Sequence, residues 1–111
     1  MTDYRFMGGA TRETVYCAID SERDYQIAMA EKAHGDPSND GKKHLEEFVL
    51  YMDAYMATLK HELSTVWGPD AYVGPLNTLR KVVALGIAAM EVWGAPARTA
   101  PTKHPKGADL T

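Results

Sequence analysis

The segment VVALGIAAMEVW, residues 82 to 93, constrains the fold more than any other stretch of the chain. It is apolar on nearly every side of a helix, with Glu91 as its one charge. A helix that is apolar all round is buried all round. At 111 residues the chain is one domain near the lower end of what encloses its own core, and two further helices cannot cover every face of a third. The segment therefore predicts a central helix with a second subunit against it, where Ala84, Ala88 and Ala89 let backbones approach. A homo-oligomer follows; an ordinary core helix in a well-covered monomer is the alternative.

Helical spacing dominates the rest of the chain, and alternating strand patterns are absent. A first helix runs from about Thr11, a plausible N-cap, to about Ala33, and stops at HGDPSNDG, rich in turn formers. A second spans roughly 42 to 66, with Leu45, Phe48, Val49, Met52, Met56, Leu59 and Leu63 at spacings of three and four. The third begins near Leu76 and ends at Trp93, because Gly94 favours a left-handed cap and Pro96 cannot continue a helix. The expected fold is all-α: a three-helix antiparallel bundle, completed by homo-oligomerisation. It divides into an N-terminal arm (1–10), a helical domain (11–94) and a flexible tail (95–111) rich in Pro, Thr and Lys.

Twelve basic against fifteen acidic residues give a formal charge of −3, without the basic stripe that neutralises duplex phosphates. The single cysteine, Cys17, rules out an intramolecular disulfide framework and a cysteine-based zinc site and fits a reducing compartment. The opening MTDYRFMGGATRET has neither the basic start nor the apolar run of a signal peptide, and the longest apolar run is far short of a membrane span. The chain reads as a cytoplasmic protein that engages neither a membrane nor duplex nucleic acid.

On the first helix Val15, Ala18, Ile19, Met29 and Ala33 define an apolar stripe, and Glu22 and Gln26 fall in its middle. A carboxylate there needs a cation, a polar cavity or its own proton. Arg23, on the edge of the same stripe, and Arg80, on the corresponding edge of the third helix, are both candidates for that cation. The polar insertion is either a buried ion pair that sets helix register or part of a binding site. On the second helix Glu46, Asp53 and Lys60 recur every seven residues and edge the apolar stripe. Glu46 and Asp53 stand about 10 Å apart at 1.5 Å per residue, too far to share one metal ion. His44, Glu47 and Tyr51 lie on another, more exposed face, and His61 and Glu62 read as solvated.

The motif order AIDSERDYQ, a Gly/Pro loop, HLEEFVLYMDAY, then LRKVVALGIAAMEVWGAPAR resembles short bacteriophage proteins of the MazG-like, all-α NTP-pyrophosphohydrolase type. The resemblance covers about residues 16 to 98. In that family, paired acids on two helices hold magnesium on a nucleoside triphosphate. Glu46 and Glu47 match the first two acids, but Leu50 stands where a third belongs, and Asn77, Arg80 and Lys81 occupy the region of the second acidic pair. Hydrolysing a phosphoanhydride needs divalent ions to neutralise phosphate and activate water. Arginine and lysine in their place invert the local charge and suit direct phosphate binding.

The resemblance thus implies a nucleotide or other phosphorylated small ligand bound between subunits without turnover. Glu22, Arg23, Gln26, Glu46, Glu47, Arg80 and Lys81 are its expected site residues, no cofactor is expected, and sequestering a signalling nucleotide from host defence is the expected role. One alternative is a hydrolase that assembles a Mg2+ site from Glu22, Glu46, Glu47, Asp53 and Glu91. Another is a protein-interaction module acting on a host protein through the apolar third helix and the tail.

Overall fold

The computed structural model describes residues 8–34 and 43–99. The arm before residue 8, the Gly/Pro loop at 35–42 and the tail from residue 100 lie outside these described residues. Three helices make up the fold: α1 (Arg12–His34), α2 (Leu45–Ser64) and α3 (Val73–Trp93). No strand occurs among the described residues, so the chain is an all-α three-helix bundle. None of its helices is long and apolar enough to cross a membrane.

The helix ends follow local chemistry. Thr11 caps α1 as expected, its hydroxyl accepting the Thr14 N–H at 3.1 Å. At the start of α2 the Glu47 carboxylate accepts the His44 N–H at 3.1 Å, which sets the first turn at Leu45, a few residues later than the spacing predicts. Helix α3 begins at Val73, ahead of the predicted Leu76. Pro75 is the reason: in a first turn its missing N–H has no intrahelical partner to lose, so the proline is absorbed and does not block the helix. The other end falls at Trp93 as predicted, where Gly94 takes φ 113° and donates its N–H to Met90 O at 2.8 Å.

Helices α2 and α3 form an antiparallel hairpin. Trp93 Nε1 donates to Lys43 O at 3.2 Å at one end, Gly86 lies against Met52 in the middle, and the Thr78 hydroxyl donates to the Glu62 carboxylate at the other. Glu62 is therefore half-buried and bonded, not solvated as its position in the sequence suggests. Phe48 is fully buried against Ala88 and Ala89, with Val92 at the edge. The small alanines let a phenyl ring fit between two close backbones.

Helix α1 packs on a different side of α3, and none of its Cα atoms comes within 8 Å of one in α2. The third helix is central, as its apolarity requires, yet its alanines do not serve the purpose expected of them. Ala84, Ala88 and Ala89 are buried within the chain itself, so they are not open to a second subunit. The large apolar side chains of α3 left uncovered are Val73, Leu76, Leu79, Val83, Met90 and Trp93.

Phe48 is the one large side chain fully buried among the described residues, so the hairpin depends on it. Phe48→Ala is expected to lower stability by about 3–5 kcal/mol, the usual range for emptying an aromatic site in a core. Urea unfolding followed by far-ultraviolet circular dichroism measures the change; a loss below about 1 kcal/mol would show that the hairpin closes over the space.

Candidate functional site

Two crossed ion pairs fasten α1 to α3. Arg80 Nε donates to Glu22 Oε1 at 2.8 Å, and the Arg80 Nη1 donates to Asn77 Oδ1 at 2.6 Å. Arg23 Nη2 and Nε donate to Glu91 Oε1 at 2.6 and 2.9 Å. Glu22 and Arg23 are buried, whereas Val15, Ala18, Met29 and Ala33 of the apolar stripe remain exposed. Charge, not apolar surface, thus makes the deepest contact of α1. Both candidate arginines find carboxylates, Arg80 across to Glu22 and Arg23 across to Glu91.

Because α1 and α2 stand apart over α3, a trough of about 420 Å³ opens between them, within the size range of small-molecule sites. Helix α1 contributes Glu22, Tyr25, Gln26 and Met29 to one wall. The other wall carries Tyr51 and Tyr55 of α2, with Lys43 at its entry. Lys81, Leu85 and Ala88 of α3 form the floor. Three phenol rings are at least a third exposed there, ready to offer flat apolar faces to a planar group.

The polar groups are unevenly satisfied. Gln26 Nε2 donates to Lys81 O at 3.5 Å, a long contact, while Gln26 Oε1 is buried and accepts no hydrogen bond among the described residues. The Lys43 ammonium lies 5.5 Å from the Tyr51 ring centre and 5.7 Å from that of Phe48, within cation–π range. No ion pair holds the Lys81 ammonium among the described residues.

Of the residues expected from sequence, Glu22, Gln26 and Lys81 meet in this trough. Arg80 touches it only through Glu22, and Arg23 is committed to Glu91. Glu46 and Glu47 lie in the first turn of α2, outside the lining, where Glu47 serves as a cap. Among the described residues no three His, Cys, Asp or Glu side chains converge on a point that would hold a metal ion. Sequence reasoning passed over Lys43, Tyr25 and Tyr55, and placed Tyr51 only on an exposed face with His44 and Glu47. Tyr51 and Tyr55 are four residues apart and so share a helix face, which is the signal that would have found them.

The ion pair and the trough separate in their response to substitution. Arg80→Ala leaves a buried carboxylate without its cation and is expected to cost about 1–3 kcal/mol; Arg80 is itself 34% exposed, and solvent takes up part of the loss. Glu22→Leu with Gln26→Leu leaves Arg80 without its carboxylate, but at 34% exposure water takes up part of that charge, so the double variant is expected to cost less than Arg80→Ala. Thermal melts of both variants check this, and a double variant that melts far below Arg80→Ala would overturn it. Compared with models of known protein families, with curated proteins and with solved structures, the chain matches none.

Proposed function

We propose that the trough binds a small phosphorylated, nucleotide-like ligand and does not turn it over. The observation that carries this reading is the pairing of Tyr25, Tyr51 and Tyr55 with Lys43 and Lys81 around one cavity. Tyrosine faces stack on a planar base whatever its identity. Lysine ammonium groups supply point charges for phosphate oxygens. The unsatisfied acceptor of Gln26 lies beside them, on the wall from which a base edge would be read.

The lack of turnover rests on where the acids are. Glu22 and Glu91, two members of any cross-helix acidic set, are each bound to an arginine, which opposes their collecting a divalent cation. Asp53 is exposed on α2, and neither it nor Glu46 nor Glu47 lines the trough. The phage-like sequence features extend the proposal to a cytoplasmic role: holding a signalling nucleotide away from a host response, by binding alone.

Isothermal calorimetry against linear and cyclic nucleotides tests binding. Lys81→Ala is expected to weaken it by about 1.5–3 kcal/mol, the range for a hydrogen bond to a charged group. Tyr55→Ala is expected to weaken it by about 1–3 kcal/mol through lost stacking. No pyrophosphate release is expected from nucleoside triphosphates with magnesium or manganese. Robust release, lost in Glu46→Gln or Glu47→Gln, would replace this reading with the hydrolase. A parent protein that binds no nucleotide of the panel would leave a protein-interaction role in its place.

A further inference from the structure

The α2–α3 hairpin has two sides. One carries the trough. On the opposite side of α3, at 100° per residue, Leu76, Leu79, Val83 and Met90 fall into one narrow sector, and each is between 37% and 49% exposed. Alongside them on α2 run Val49, 54% exposed, and Leu63, 45% exposed, with half-buried Met56 between. The register set by Trp93 on Lys43, Gly86 on Met52 and Thr78 on Glu62 places Val49 beside Met90, Met56 beside Val83 and Leu63 beside Leu76. The two rows therefore join into one continuous apolar strip along the hairpin.

Half-exposed side chains of this number present on the order of 500 Å² of apolar surface, in the upper part of the roughly 300–600 Å² that the largest patch on a monomer reaches, patches of that size often being functional. With a polar rim the strip approaches the ~800 Å² per partner of a stable interface. We infer that a second copy of this chain covers it, about a two-fold axis that lays α2 antiparallel on the partner's α2.

The charges along the strip select that occupant. Glu46, Asp53 and Lys60 are exposed and spaced by seven, so they line the outer edge of the α2 row. Glu46 and Lys60 are equally distant from Asp53. In an antiparallel pairing centred on Asp53, Glu46 meets the partner's Lys60, and Lys60 meets the partner's Glu46. The edge is complementary to itself, which is what an isologous contact requires. A parallel pairing would set glutamate against glutamate and lysine against lysine. The antiparallel arrangement has one cost, the approach of Asp53 to its own copy, and that cost is itself a marker of the geometry. The strip lies away from the trough, so association and ligand binding are separable measurements.

Sedimentation equilibrium of the full chain is expected to give an assembly built on twice 12.2 kDa. Val49→Asp with Val83→Asp is expected to give monomers with an unchanged far-ultraviolet spectrum, since both side chains are exposed. Lys60→Glu sets glutamates against each other at both ends and is expected to raise the dissociation constant by about tenfold or more at low salt. Adding Glu46→Lys to it restores complementarity and is expected to bring the constant back towards the parent's. Asp53→Asn is expected to tighten association. A parent that remains monomeric at about 100 µM, a Kd no better than weak, would overturn the inference. So would an assembly indifferent to the paired aspartates, or a charge-swapped variant no tighter than Lys60→Glu alone.

Discussion

The arrangement of this protein depends on how α1 is held. Its two buried residues among those described are Glu22 and Arg23, neighbours in sequence, and they reach Arg80 and Glu91 of α3. These partners are eleven positions apart, about 16 Å along a helix axis. Two adjacent anchors that diverge so far fix the direction of α1 as well as its place, because rotating or sliding the helix breaks one pair or the other. Desolvation offsets much of the Coulomb energy of such pairs. What they supply is a unique geometry, in a helix whose apolar stripe is too exposed to choose one.

That geometry makes the trough. A third helix docked by a broad apolar face would settle into the groove of the α2–α3 hairpin and close it. Held instead by charges on a different side of α3, α1 keeps its backbone away from that of α2, and the space between them is left to Tyr25, Tyr51 and Tyr55. Glu22 belongs to both features. It completes an ion pair with Arg80, and it forms part of the wall. The polarity that interrupts the α1 stripe and the presence of a cavity thus have one physical origin.

How much of this was legible varied with the kind of feature. Properties set within one helix were readable: the three elements, the Thr11 cap, the end at Trp93, the central place of α3 and the need of Glu22 for a cation. Properties set by which helix faces which were not. Spacing put Arg23 and Arg80 on suitable edges, but only the crossing of α1 over α3 gave Arg80 to Glu22 and turned Arg23 to Glu91. Likewise Ala84, Ala88 and Ala89 were correctly read as small residues for close approach, while the approaching helices belong to the same chain. Glu46 and Glu47 carried the family resemblance, yet the turn at His44 puts them at a helix cap. The tyrosines were hidden by their ambiguity, since a tyrosine serves equally as core, as solvated surface and as pocket wall.

The use of charge at the α1 contact has a consequence for the whole fold. An ion pair removes little apolar surface from water, so α1 adds less hydrophobic stabilisation than a helix of its length ordinarily would. The burden falls on the hairpin, where Phe48 is the one large side chain fully buried among the described residues. At the same time the hairpin leaves its outer strip bare, with Leu76, Val83 and Met90 each more than a third exposed. A chain of this size has few means of recovering that surface by itself, because α1 is already committed to Arg80 and Glu91. Covering the strip with a like strip recovers it twice, once for each copy, without closing the trough. In the dimer we infer, folding and association would share one free-energy balance, in which the stability of each chain depends on the concentration of its partner.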